Sequence, residues 1–249
     1  SSATFSVAEN QTVVGTVTAT DADGNTLTYT LTGTDSASLS ISSSGVITFN
    51  VAPDYETKAS YSVTVNVNDG TNDTTQTITI TITNVNDSAP GITSSAAFGA
   101  AENQTAVGTV TATDADGNTL TYTLTGTDAA SLSIHASSGV ITFNSAPDYE
   151  TKASYSVTVN VSDGTNTTPQ ALAITITNVN DNDPVITSSA TFSVAENQTV
   201  VGTVTATDAD GDTLTYTLTG TDVSSLSIHS SSGVITFDSA PDYETKTSY

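Results

Sequence analysis

The sequence predicts an all-β protein, built as tandem immunoglobulin-like, seven-stranded Greek-key β-sandwiches arranged end to end. Three observations predict it. Val, Ile, Leu, Tyr and Phe alternate with Thr and Ser at period two in one run after another, as in half-buried strands. No segment carries a helical period. The pattern also recurs at the length of a complete small domain.

The repeat shows in three motifs. AEN places its glutamate at Glu9, Glu102 and Glu196; DADG opens at Asp21, Asp114 and Asp208; PDYETK opens at Pro53, Pro147 and Pro241. Each recurs after 93 or 94 residues, too long for a solenoid unit of about 20–50. The chain therefore divides into residues 1–88, 89–182 and 183–249, each with its own core.

Repeat two shows the strands in order. The Phe98 segment leads; Thr105–Thr113 follows, carrying Val107 and Val110 with Gly108 interrupting the alternation. Leu120, Tyr122 and Leu124 alternate with Thr, Leu132 and Ile134 make a short strand, and Val140–Phe143 follows a Ser-Ser-Gly turn. Tyr155, Val157, Val159 and Val161 form a strict period-two run, and Leu172, Ile174 and Ile176 form another. Seven strands separated by Gly, Asp, Asn and Ser turns make a sandwich. Tyr249 matches Tyr61 and Tyr155, the start of the sixth strand, so the third repeat lacks its last two strands and the chain reads as a window of a longer array.

Charge narrows the function. The chain carries 26 acidic side chains against 3 lysines, a formal net charge of −23. A polyanion is repelled by nucleic acid and by anionic membrane surfaces, and its natural counter-ions are metal cations. No apolar run approaches the ~20 residues that span a bilayer, so this segment inserts in no membrane by a helix. Cysteine is absent, which removes disulfides and leans toward a bacterial surface protein.

The acids gather at strand ends and repeat junctions. The motifs are a glutamate early in the repeat, a D-x-E segment, an Asn/Asp-rich junction, then a D-x-D pair and a later lone Asp in the next repeat. Around the first junction these are Glu9, Asp54 and Glu56, then Asn84, Asn86 and Asp87, then Asp114, Asp116, Asn118 and Asp163. Around the second they are Glu102, Asp148 and Glu150, then Asn178, Asn180, Asp181 and Asn182, then Asp208, Asp210 and Asp212. Asp21, Asp23 and Asp69 form the upper half of a further junction, and Glu196, Asp242 and Glu244 the lower half of another. Hard calcium takes six to eight oxygen ligands, which no single motif supplies but several together would. DADG has Gly at its fourth place and no closing glutamate, so it is not an EF-hand loop.

In order and spacing these motifs resemble the cadherin repeat over the whole chain. The resemblance implies junctions that bind Ca2+, usually three ions each, through the residues just named. Two departures bear on ion number. The junction's first aspartate is Asn84 or Asn178, and its closing Asn is Ser88 in the first linker. Seven carboxylates remain at the first junction, enough for two or three divalent ions.

The other polar motifs read as structural. His135 and His229 align with Ser42 and read as turn residues. Lys58, Lys152 and Lys246 adjoin the D-x-E segments and read as local charge compensation, and Asn10, Asn103 and Asn197 open N-Q-T sequons beside a metal ligand. No nucleophile elbow, Ser-His-Asp arrangement, phosphate loop or zinc spacing occurs, so no enzyme is expected. The expected function is a calcium-rigidified extracellular or cell-surface stalk of a large adhesin, since near-identical, Thr/Ser-rich, cysteine-free copies resemble bacterial adhesin repeats. The alternatives are a segment of an extracellular fibre and a carbohydrate-binding module. Expected partners are calcium and neighbouring repeats of the same chain, with homotypic assembly or surface glycans beyond them.

Overall fold

The computed structural model describes residues 2–249; Ser1, the first residue of the first repeat, lies outside them. The first repeat contains β1 (Thr4–Ala8), β2 (Val13–Thr16), β3 (Thr28–Thr32), β4 (Leu39–Ile41), β5 (Val46–Phe49), β6 (Ser60–Asn68) and β7 (Asp73–Thr83). They form two sheets, ordered β1-β7-β6-β3 and β2-β5-β4. β1 runs parallel to β7, while β6 is antiparallel to both β7 and β3. Period two decides which side chains meet: Val63, Val65 and Val67 of β6 and Ile78, Ile80 and Ile82 of β7 point inward onto Ile47 and Phe49. Fully burying each such side chain stabilises by about 1.5–3 kcal/mol. Thr and Ser of the same strands face water, where β-branched Thr suits a pleated surface.

The second repeat has the same two sheets, with its early strands divided. Its elements are β8 (Gly91–Ile92), β9 (Ala97–Ala101), β10 (Ala106–Thr109), β11 (Ala112–Thr113), β12 (Thr121–Thr125), β13 (Leu132–Ile134), β14 (Val140–Phe143), β15 (Ser154–Ser162) and β16 (Thr167–Thr177). The sheets are β12-β15-β16-β9 and β10-β14-β13, with β8 and β11 as a separate antiparallel pair. The single strand expected over Thr105–Thr113 is thus two. The register shifts between Ala106 and Gly108, where the Phe98 ring lies so close that a Cβ on Gly108 would come within 2.6 Å of it. β8 has two residues, too few to display a period.

The Ser-Ser-Gly turn is equally constrained. Gly139 has φ +68°, and a Cβ there would lie 2.2 Å from the Val110 carbonyl oxygen. His135 Nδ1 accepts the Ser137 and Ser138 N–H groups at 3.4 and 3.3 Å, as Ser42 Oγ accepts those of Ser44 and Val46 at 3.3 and 3.1 Å. His and Ser interchange here because each offers one acceptor.

The third repeat contains β17 (Val185–Ile186), β18 (Val200–Thr203), β19 (Ala206–Thr207), β20 (Leu226–Ile228) and β21 (Val234–Phe237). It keeps the β18-β21-β20 sheet and the β17-β19 pair. Residues 191–195 and 215–219 repeat the sequences of β1 and β3, yet neither segment is a strand. In the first repeat those strands pair with β7 and β6, which have no counterpart here.

Candidate metal centre

Glu9 is the first fixed point. It directly follows β1, is 2% exposed, and accepts two backbone N–H groups: Tyr55 at 2.8 Å on Oε2 and Val85 at 2.6 Å on Oε1. One carboxylate thereby ties the PDYE loop to the linker after β7. Asn10 turns the chain with φ +63°, and its Nδ2 donates to Asp87 Oδ2 at 2.5 Å. Glu102 does the same in the second repeat, accepting Tyr149 N at 2.7 Å and Val179 N at 2.6 Å. Asn103 likewise donates to Asp181.

At the first junction Glu9, Glu56, Asp87 and Asp116 each offer a carboxylate oxygen, and all four oxygens lie within 4.8 Å of one another. Three segments of the first repeat and one loop of the second supply them. Asp116 is 9% exposed; its Oδ2 accepts Asp87 N at 3.1 Å and Ser88 N at 2.9 Å. Asp116 Oδ1 and Asp114 Oδ2 are buried with no hydrogen-bond partner among the described residues. Such atoms cost about 1–3 kcal/mol each unless something satisfies them, more when charged. The loss of water around Glu56, with Asp116 and Glu9 beside it, pushes its carboxyl up to about 7. Hard-oxygen donors, crowded acids and orphaned buried oxygens all fit a calcium-type cation.

The remaining acids named for this junction lie outside that foursome. Asp54 turns back on its own loop, accepting Thr57 N at 3.2 Å and Thr57 Oγ1 at 2.9 Å, which holds it below the usual carboxylate range. Burial works against Asp163, but the Asn166 and Thr165 N–H groups outweigh it and hold its carboxyl low. Asp114 Oδ1 accepts Asn118 N at 3.1 Å. Asn86 bridges the repeats: its Nδ2 donates to Asp163 O at 3.3 Å, and its Oδ1 accepts Asn166 Nδ2 at 3.4 Å. Asn84 Nδ2 donates to Asp116 O at 2.9 Å.

The second junction gathers Glu102, Glu150, Asp181 and Asp210 within the same 4.8 Å. Its loss of surrounding water, then Glu102, Asp210 and Asp148 nearby, raises Glu150 above its ordinary value. Asp148 bonds Thr151, as Asp54 bonds Thr57. Asn178 donates to Asp210 O at 2.9 Å and Asn180 donates to Asp212. Asn182 Nδ2 reaches Asp210 Oδ1 at 3.0 Å, filling the acceptor whose equivalent at Asp116 stays empty beside Ser88. Asp208, Asp210 and Asp212 form one further acidic group, and the exposed Glu196, Asp242 and Glu244 another. Asp21, Asp23 and Asp69 join no such group among the described residues; Asp21 and Asp69 accept backbone N–H groups of their own loops.

The lysines overturn one expectation. They do not compensate the adjacent D-x-E acids. Lys58, Lys152 and Lys246 instead reach Asp35, Asp128 and Asp222, and each lies over a tyrosine ring (Tyr61, Tyr155, Tyr249) at 4.5–4.6 Å. Those rings meet Phe49, Phe143 and Phe237 edge-on at 4.8–4.9 Å. All three lysines are thereby held away from the junctions, whose carboxylates meet no protein cation among the described residues. Asn10, Asn103 and Asn166 were not among the expected site residues; the nearest signal was the Asn that follows each AEN glutamate.

Comparison with known proteins follows the same division. The cadherin domain family model matches residues 3–83 and 97–179. Mouse cadherin-23 repeats EC22–24 superimpose with a TM-score of 0.79 at 27% identity, over 97% of this chain and 86% of that one. Human CDH23 repeats EC21–23 give 0.80 at 25% identity, over 97% and 89%. Mouse protocadherin-24 EC1–3 gives 0.76 at 23% identity, over 98% and 86%, a likeness of fold. No curated protein matches the chain. With the matched repeats covering well over half its length, this chain belongs to the cadherin domain family.

Proposed function

We propose that these repeats form a calcium-stiffened extracellular spacer in an adhesion protein, with the stalk of a large surface adhesin as its setting. The observation that carries it is the first junction, where Glu9, Glu56, Asp87 and Asp116 crowd together and Asp116 Oδ1 stays buried without a partner. Glu9, Glu56, Asp87 and Asp116 would hold one ion, and Asp114, Asn86 and Asp163 would serve a second. Glu102, Glu150, Asp181 and Asp210 repeat the first arrangement. Bound calcium supplies the positive charge that lets these acids share a small volume. Glu9 and Glu102 tie loop to linker, and Asp116 and Asp210 bring the next repeat to that same point. Extracellular modules of this kind bind with dissociation constants of roughly 10⁻⁴–10⁻³ M, which millimolar calcium outside cells fills. Near-identical, cysteine-free, Thr/Ser-rich copies support a stalk of many such units.

Calorimetric titration with calcium, paired with thermal melting, tests this. Saturable binding and a raised melting midpoint are expected; at ten times the dissociation constant one site adds about 1.4 kcal/mol. Glu9→Gln with Glu102→Gln should remove most of both effects. Absence of binding heat and an unmoved midpoint at several times that constant would sink the proposal.

A further inference from the structure

At each junction the linker aims the same three hydrogen-bond donors at a single residue of the next repeat, and at the second junction Asn182 Nδ2 adds a fourth at 3.0 Å. Asp116 receives Asn84 Nδ2 on its backbone oxygen at 2.9 Å, and Asp87 N and Ser88 N on Oδ2 at 3.1 and 2.9 Å. Asp210 receives the same three, from Asn178 at 2.9 Å, Asp181 N at 3.1 Å and Asn182 N at 2.8 Å. Two of these donors are main-chain groups that almost any linker sequence would provide. The third depends on the side chain.

An aspartate, the residue of the family pattern at this place, carries only acceptors when ionised and cannot bond a carbonyl oxygen. It would set a negative charge against the Asp116 or Asp210 carbonyl, in a neck already crowded with carboxylates. Asn84 and Asn178 reverse both effects. Turned the other way, either amide would set oxygen against oxygen, so the observed orientation is the satisfied one.

We infer that Asn84 and Asn178 are positioning residues: metal-independent latches that seat Asp116 and Asp210, so that the chain assembles each junction before a cation arrives. The chain gives up one carboxylate per junction and gains a direct bond between repeats. That Asp116 and Asp210 then serve as ion ligands rests on the function proposed above; the latch does not.

The test compares the full chain with Asn84→Ala/Asn178→Ala and with Asn84→Asp/Asn178→Asp, each in chelator and in calcium. In chelator, small-angle scattering should show a narrower inter-repeat distribution for the unaltered chain than for either variant, with calcium narrowing it further. In calcium titrations the alanine variant should bind about fivefold more weakly, the weight of one net hydrogen bond. The aspartate variant should bind at least as tightly as the unaltered chain, although its chelated form is loose, because it regains a carboxylate. General damage to the fold would weaken both variants, so this split identifies positioning. Both residues lie in linkers between strands, and far-UV circular dichroism of each variant should match the parent. Chelated variants that scatter identically to the parent overturn the latch. An unaltered chain that binds no calcium removes the metal reading, while the chelator arm still decides the latch.

Discussion

Repeats one and three contain two identical five-residue sequences with different structures. TFSVA is strand β1 at Thr4–Ala8 but carries no strand over residues 191–195; TYTLT is β3 at Thr28–Thr32 but carries none over 215–219. Propensity is the same in both copies, so it does not decide the outcome. β1 lies against β7 and β3 against β6, and without those neighbours the backbone groups have no ladder to join. The other sheet behaves differently. β18, β21 and β20 form as β2, β5 and β4 do, because all three partners are present.

The sharpest way to break this comparison is hydrogen exchange. Identical peptides have identical intrinsic rates, so any difference reports structure alone. Exchange at the hydrogen-bonded amides of Thr4–Ala8 and Thr28–Thr32 should be slower than at their third-repeat copies by roughly a thousandfold or more. Equal rates would mean that partner strands do not make the difference. Next in size is a pair of core truncations. Ile141 is fully buried between sheets, whereas Ile235 at the same place in repeat three keeps 8% exposure. Ile141→Ala should destabilise repeat two by about 2–5 kcal/mol. Ile235→Ala should cost less, about 2 kcal/mol at the lower end of that range, because part of its side chain already meets water. Urea unfolding of each variant measures both.

The smallest effect concerns acid. Lys152, then the Ser156 N–H, hold Asp128 below its ordinary pKa in the folded chain. A carboxyl depressed on folding contributes stability above its unfolded value of 3.8, and that contribution disappears as pH falls through the lower folded value. Lys152→Met should therefore move acid unfolding of repeat two to higher pH. The loss should be about 0.2–1 kcal/mol, since the Lys152 side chain is 42% exposed and its charge is screened. Acid titration of both chains followed by near-UV circular dichroism measures the shift.

Much of this architecture is legible in the residues alone, because alternation and repetition are local or periodic signals. The Val157–Val161 run and the Leu172–Ile176 run lie where their period places them, on β15 and β16. What escapes is decided by topology. Lys58 is two residues from Glu56 in sequence, but the adjoining strand carries it to Asp35, 23 positions away. Asn10 reads as part of a sequon, and only the left-handed turn after β1 shows its amide facing Asp87, 77 positions on. Division of the Thr105–Thr113 strand follows from partners outside it: β10 pairs with β14 while β11 pairs with β8, which no period within that segment encodes.

Parallel pairing of β1 with β7, and of β9 with β16, has a mechanical consequence. The first and last strands of each complete sandwich run the same way, so the chain enters at one end and leaves at the other. A pull along the array would slide these strands lengthwise past each other, loading every rung of the ladder at once instead of peeling them open one by one. Tension borne in that manner is shared, and a stretch applied along the array falls on the rungs together.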